Sequence, residues 1–219
     1  MLVTFEGIEG SGKSTAANLL AEYLLDREVD LLLTKEPGGC SLGRGLRHTL
    51  LDARGKNLSS RAELFLFLAD RAQHVTEVIR PALESGQIVL CDRYADSTLA
   101  YQGYGRGLDT EFLRRLNETA TGGLAPDITL LLDVPVPCGL ARAGQRNRET
   151  GTAISEGRFD SESLAFHERV REGYRALAQE EPARFAVIDA SQPVEDVALQ
   201  CLSAVEKALR RNGALWASP

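Results

Sequence analysis

The eight residues Gly7-Ile8-Glu9-Gly10-Ser11-Gly12-Lys13-Ser14 fit G-x-x-x-x-G-K-[ST] in full. They lie between an apolar run at 2–6 and a segment of helical period, the strand–loop–helix context in which such glycines fold backbone N–H groups around phosphate oxygens. The helix N-terminus adds positive potential. By this pattern Lys13 reaches the β- and γ-phosphates of a nucleoside triphosphate and the Ser14 hydroxyl ligates a magnesium ion. The motif constrains the fold as well as the ligand, because it requires a parallel sheet with a helix crossing over from the first strand.

The rest of the chain alternates accordingly. Short apolar runs at about 2–6, 30–34, 87–92, 128–133 and 185–189 read as strands, separated by helical segments, the pattern of βαβ units around a parallel sheet. Ala16, Leu19, Leu20, Tyr23 and Leu24 give the first helix one apolar stripe, and Phe65, Leu68, Ala72, Val75 and Ile79 repeat the logic over about 60–84, where Pro81 is expected to bend or shorten the last turns. Further helices are expected from Asp109 and from Asp160, each aspartate capping a first turn, from Pro137, and from near Pro193. The stretch 144–157 has little apolar content and reads as a flexible surface loop, while the tail beyond Asn212 reads as a frayed terminus.

At 219 residues the chain suits one α/β domain. A formal charge of −6 disfavours a sequence-independent grip on nucleic acid, which needs a surplus of Lys and Arg. No run approaches the ~18 uncharged apolar residues of a membrane span. Four scattered cysteines, without a CxxC pair, point to neither a disulfide framework nor a zinc site, and with no signal-peptide pattern the protein is expected in the cytoplasm. A phosphate cradle alone does not choose among kinase, GTPase, ATPase and binding module. There is no Asn-Lys-x-Asp for reading guanine, and Asp52-Ala-Arg-Gly55, though it has the D-x-x-G spacing of a switch loop, follows a helical segment and is read as coincidental.

A second site is legible at Asp92-Arg93-Tyr94, at the carboxyl end of the third strand, the edge of an open α/β sheet where ligands bind. Asp92 can hold a magnesium ion through water or orient an acceptor phosphate, and Arg93 offers a planar fork for phosphate oxygens. A plain carboxylate–guanidinium pair at a strand end is the competing explanation.

The segment Gly7–Thr15, Glu36-Pro37-Gly38-Gly39, Asp92-Arg93-Tyr94 and Tyr101-Gln102-Gly103, in this order, resemble the successive motifs of bacterial thymidylate kinases. The resemblance runs on to Asp189-Ala190-Ser191-Gln192-Pro193 and covers most of the chain. It implies a five-stranded parallel sheet of order 2-3-1-4-5 flanked by helices, the P-loop kinase fold, in a single domain with a mobile lid at about 142–158, assembled as a homodimer. It implies transfer of the ATP γ-phosphoryl group to dTMP with Mg²⁺, giving dTDP for dTTP synthesis from de novo or salvaged dTMP.

Carried over residue by residue, the resemblance puts ATP on Gly7, Ile8, Glu9, Gly10, Ser11, Gly12, Lys13, Ser14, Thr15 and Arg142, and the metal on Ser14 and, through water, Asp92. It puts dTMP on Glu36, Pro37, Arg47, Phe67, Arg71, Arg93, Tyr94, Ser97 and Gln102. Phe67 would stack on the base, Arg71 four residues on would donate to a thymine carbonyl, and Ser97 and Gln102 would meet the polar edge. Tyr94 would crowd the ribose 2′ position and so reject ribonucleotides. With no basic residue at Gly10 or Ser11, a transition-state cation is expected from the lid arginines Arg142, Arg146, Arg148 and Arg158, with Arg146 and Arg148 the two favoured; Lys13, Arg93 and Asp92 complete the catalytic set. Two other readings stay open: a kinase acting on dUMP, UMP or CMP, and an NTP-controlled switch that signals by loop ordering.

Overall fold

The computed structural model describes residues 1–54, 58–152, 154–155 and 157–211. Gly55 and the tail after Asn212 lie outside the described residues. Five strands, β1 (Leu2–Glu6), β2 (Leu31–Lys35), β3 (Ile88–Asp92), β4 (Ile128–Asp133) and β5 (Phe185–Asp189), form one sheet of order β2-β3-β1-β4-β5 with all neighbours parallel. Each lies within one residue of its expected span. The order puts β1 at the centre, and the register pairs Phe5 with Asp92, so the loop after β1 and the end of β3 emerge side by side.

Helix α1 (Lys13–Leu25) carries the chain from β1 back to β2. Its buried face is Ala16, Ala17, Leu20, Ala21 and Leu24, with Leu19 and Tyr23 only half-buried at the margin: small alanines let the helix sit close on the sheet. Helices α2 (Ser41–Leu51) and α3 (Ser60–His74) pack together, and the Ser59 hydroxyl accepts from Ala62 N to start α3. The expected bend before Pro81 is a π-helical turn at Val75–Ile79, followed by α4 (Arg80–Glu84) with its proline in the first turn, where a missing N–H costs nothing.

After β3 come the single turn α5 (Ala95–Thr98), a second π-helical segment at Leu99–Gly105, and α6 (Thr110–Thr121), capped as expected by Asp109, whose side chain accepts from Phe112 N at 2.7 Å. The chain continues with α7 (Val136–Thr150), α8 (Leu164–Glu180) and α9 (Val194–Arg211). Two expectations fail here. Residues 142–150 are helical rather than loop, because Arg, Gln, Glu and Ala around Gly144 are good helix formers, and one internal glycine costs only about 1 kcal/mol. The helix ends where Gly151 turns left-handed at φ 68°. Nor does Asp160 cap α8; Ser163 does, accepting from Phe166 N, and Asp160 instead accepts from Asn147 Nδ2.

The main core fills the space between sheet and helices around Phe5, Leu20, Leu90, Leu131, Val170 and Tyr174. A smaller cluster, Leu2, Val75, Ile79, Val89, Cys91 and Tyr94, packs with the π-helical turn and α4. Among the described residues no helix is long and apolar enough to cross a membrane.

Candidate active site

The loop from β1 to α1 folds tightly because its glycines accept what other residues cannot. Gly10 has φ 68°, and a Cβ there would lie 1.9 Å from the Gly139 carbonyl oxygen, so the loop rests against the first turns of α7. Lys13 is buried and caps the loop from inside, donating to Gly7 O at 3.0 Å, Ile8 O at 2.7 Å and Ser11 Oγ at 3.3 Å. Burial, with Arg93 nearby, lowers its pKa to about 8. The Ser14 hydroxyl donates to Asp92 Oδ2 at 2.5 Å, which brings together the two oxygens expected to hold a metal. An exposed hydroxyl–carboxylate pair beside a phosphate cradle fits Mg²⁺, which keeps most of its waters and takes few protein ligands.

Arg93 enters from the β3 end with a left-handed backbone, φ 70°. This turn sends Arg93 toward the phosphate loop and Tyr94 the opposite way. The guanidinium donates to Gly7 O (3.1 Å), Ser97 Oγ (3.3 Å) and Tyr174 Oη (3.3 Å) through Nη1, and to Glu9 Oε1 (3.1 Å) and Tyr101 Oη (3.1 Å) through Nη2. Glu9 also accepts from Tyr101 Oη at 2.6 Å. Burial alone would push the Glu9 carboxyl up, but His167, Arg93, Lys13 and Tyr101 together outweigh it and hold the group at about 2. His167 Nδ1 lies 3.2 Å from Glu9 Oε2, within ion-pair reach but off the hydrogen-bond axis, so neither His167 nitrogen has a hydrogen-bond partner.

Beneath Arg93 sits Glu6, fully buried. It accepts from Tyr94 N (2.8 Å) and Ser97 N (3.3 Å) on Oε1 and from Ser97 Oγ (2.6 Å) and Tyr174 Oη (2.8 Å) on Oε2. Burial and the neighbouring Asp96 push its pKa up. Four donors on one carboxylate tie the turn after β3, and Tyr174 of α8, to the end of β1.

A cavity of about 690 Å³ runs from the phosphate loop past Arg93 to α3. It is lined by Glu9 through Thr15 at one end and by Glu36, Pro37, Arg47, Phe67, Arg71, Ser97 and Gln102 at the other, with Asp92 and Arg93 between. The structure therefore brings together most of the residues singled out from the sequence. Arg71 is 2% exposed, and four of its five N–H groups are held: Nε by Glu36 Oε2 (2.8 Å), Nη1 by Thr98 Oγ1 and Asn117 Oδ1 (both 2.7 Å), Nη2 by Tyr94 O (2.8 Å). Glu36 also meets His74 Nδ1 at 3.0 Å, and His74 Nε2 meets Thr34 Oγ1 at 2.7 Å. Arg47 donates to Pro37 O at 2.8 Å. Phe67 stands 6.1 Å, ring to ring, from Phe159.

Of the residues expected at the site, Gly7, Ile8, Tyr94, Arg148 and Arg158 stand off the lining of the cavity. Tyr94 does not line the cavity: its ring is fully buried in the smaller core and its hydroxyl donates to Leu124 O at 3.1 Å, since successive residues at a strand end face opposite sides of the sheet. Tyr101, from the Tyr-Gln-Gly motif, is the tyrosine that lines it. Gly7 and Ile8 stand behind the cradle, with the Ile8 side chain in the core and both carbonyls on Lys13. Arg148 lies off the cavity while Arg142 and Arg146 line it, because a two-residue step turns the helix by more than half a circle. Arg142 donates to Ala190 O at 2.8 Å, and Arg146 to Asn147 Oδ1, with Asp160 at 3.7 Å. Arg158 is tied to Leu50 O and Glu63 instead.

Sequence reasoning missed Thr98, Phe159 and Asp160 in the lining, and Glu6, Glu63, His167 and Tyr174 behind it. An acid immediately before the phosphate loop was the one available signal, for Glu6; the others come from α3, α5, α8 and the turn before α8, whose approach no local pattern records.

The family model described as thymidylate kinase matches residues 5–200. A thymidylate kinase of Desulfovibrio desulfuricans is 74% identical over 213 residues, covering 97% of this chain and 98% of its own, and one of Solidesulfovibrio magneticus is 58% identical over 95% and 100%. The crystal structure of thymidylate kinase from Ehrlichia chaffeensis superposes with a TM-score of 0.74 at 35% identity, over 94% of this chain and 98% of that one. With a matching family model over most of its length and relatives this similar, the chain belongs to the thymidylate kinase family.

Proposed function

We propose that the chain transfers the γ-phosphoryl group of ATP to dTMP, giving ADP and dTDP. The observation that carries this reading is the continuity of the cavity: the triphosphate cradle and an apolar-walled acceptor end open into one space, with Arg93 between them. Phosphoryl transfer asks a protein chiefly for positioning and positive charge. Lys13 releases the loop carbonyls to take the β- and γ-phosphate oxygens. Arg93 exchanges Glu9 for the acceptor phosphate, since a dianion competes for the same fork. Phe67 and Phe159 wall the base, while Arg71, Thr98 and Gln102 bring polar groups to it, and Tyr101 fills the floor. Arg146 supplies the further cation, its partners Asn147 and Asp160 being replaceable by phosphate oxygens.

Mg²⁺ would be held by Ser14 and Asp92, and when bound it supplies charge neutralisation across the β- and γ-phosphates. The protein works as a single-domain homodimer; Leu42 on α2 and Phe65 on α3 leave apolar surface exposed on adjacent helices. We place it in the cytoplasm, where the four unpaired thiols stay reduced. The stretch at about 142–158, with Arg142 and Arg146 lining the cavity, serves as the lid.

The test is ADP formation with ATP and Mg²⁺ against dTMP, dUMP, UMP, CMP, dAMP and shikimate, in the wild type and in Lys13→Ala. Turnover confined largely to dTMP and lost in the variant is expected. Hydrolysis without an acceptor would favour a nucleotide-controlled switch instead.

A further inference from the structure

Glu63 lies in the first turn of α3, 1% exposed, outside the lining of the cavity and with no part in the phosphoryl chemistry above. All its acceptor capacity is used. Oε1 takes Gln102 Nε2 at 2.8 Å and Arg106 Nε at 3.2 Å; Oε2 takes Arg106 Nη2 at 3.1 Å and Arg158 Nη2. A carboxylate between two guanidinium groups accepts and does not donate. Gln102 must therefore turn its NH₂ group to Glu63, and its carbonyl oxygen is the end left for a ligand in the cavity that Gln102 lines. An amide is two-faced, and without such a partner it could present either end.

We propose that Glu63 is a positioning residue for base selection: it fixes the Gln102 amide with the acceptor toward the ligand. The inference rests on the dTMP kinase reading and deepens it. A pyrimidine whose N3 carries a hydrogen, as in thymine or uracil, matches a carbonyl oxygen. Cytosine, whose N3 is an acceptor, meets that oxygen lone pair to lone pair. The cavity thus rejects cytosine through a residue that never touches the base.

Glu63→Gln reverses the arrangement. Arg158 Nη2 and Arg106 Nη2 can only donate, so they hold the new carbonyl at the Oε2 position, and the new NH₂ group stands where Oε1 was, facing residue 102 and leaving Arg106 Nε without its acceptor. The Gln102 amide then turns over and presents NH₂ to the base. The expected result is a fall of about 30-fold or more in the ratio of kcat/KM for dTMP to that for dCMP, a site built to pair one donor being severe on its absence. The KM for ATP stays within about twofold, because the cradle is remote from Glu63. The swap Glu63→Gln with Gln102→Glu returns a carboxylate to the cluster and an acceptor to the base, and is expected to restore the preference for dTMP. It also serves if the single variant does not fold. An equal loss for both nucleotides in Glu63→Gln, or a folded swap without dTMP preference, would overturn the proposal. In the wild type, the Gln102 NH₂ protons, assigned by their loss in Gln102→Leu, should be protected from solvent exchange with and without dTMP; exchange at the free side-chain rate overturns it irrespective of the variants. A wild type that fails to phosphorylate dTMP sinks the kinase reading itself, whereas a dTMP-specific wild type with an unmoved ratio in Glu63→Gln sinks only the role of Glu63.

Discussion

Replacing Arg71 by methionine should be among the most damaging single changes in the acceptor half of the molecule. Arg71 and Glu36 form a 2.8 Å ion pair with both side chains 2% exposed. Removing one partner of such a pair typically costs about 3–5 kcal/mol, because the other charge stays buried without compensation. Among the described residues Glu36 then keeps His74. Thr98, Asn117 and the Tyr94 carbonyl lose a donor too, at roughly 1 kcal/mol each where water cannot replace it, and the methionine chain returns part of this by packing. A net loss of about 4–6 kcal/mol is expected, a large share of the ~5–15 kcal/mol typical of a domain. For a chain of this length, that is a fall in Tm of about 10–20 °C. Urea unfolding followed by far-UV circular dichroism at pH 7.5 measures it. Glu36→Gln combined with Arg71→Met removes the orphaned charge, and should be more stable than the sum of the single losses by about 2 kcal/mol. A loss under about 1 kcal/mol in Arg71→Met, or strict additivity in the pair, would refute the view that Arg71 is a structural cation as well as a cavity wall.

Four further outcomes follow from the site. Lys13 must be protonated to meet phosphate, and its pKa in the free protein is about 8, so affinity for a non-hydrolysable ATP analogue should be flat below pH 8 and weaken by up to about tenfold per unit above it; calorimetry showing no weakening between pH 8 and 9.5 would contradict the burial argument. In the unliganded protein the same lowered pKa works in the opposite sense for stability, which should gain between pH 8 and 10.5, where the unfolded chain still binds the proton. Tyr94→Phe should cost only the hydrogen bond to Leu124, about 1 kcal/mol of stability, and leave the preference for deoxynucleotides intact, whereas Tyr101→Phe should raise the KM for dTMP by freeing Glu9 and Arg93; a loss of dTMP/TMP-ribonucleotide discrimination in Tyr94→Phe alone would reverse the two assignments. Arg146→Ala should lower kcat about 100-fold or more, as removal of a transition-state donor does, with Arg148→Ala within about threefold of wild type, and equal losses would show that neither position is selected by the geometry.

How far each part was legible depends on whether its cause is local. The strands and the phosphate loop were read within a residue because hydrophobic runs and glycine spacing act over a few positions, and the Asp109 cap followed for the same reason. Asp160 shows the limit: it carries the right side chain for a cap, but the chain makes a further turn before α8, and its carboxylate is claimed by Asn147 on α7. Residues 144–150 show the same limit: low apolar content without a clear period reads as loop, yet a run of good helix formers needs no apolar stripe, and one helical glycine costs little beside it.

What the sequence determined by itself was the parallel sheet and the triphosphate cradle, which follow from residue type at fixed spacing, and the Asp92-Arg93 pair at a strand end; the candidate lining at Phe67, Arg71 and Gln102 came from the resemblance of the successive motifs. Only the tertiary structure decided which of two tyrosines lines the cavity and which of two lid arginines faces it, because that turns on one backbone reversal at Arg93 and on the phase of α7. It also decided that Glu6, Glu63 and His167 stand behind the site. Buried carboxylates and imidazoles acquire partners from elements 30 to 170 residues away, as Glu6 does from Tyr174 and Glu63 from Arg158, and no pattern within one element encodes such distant company.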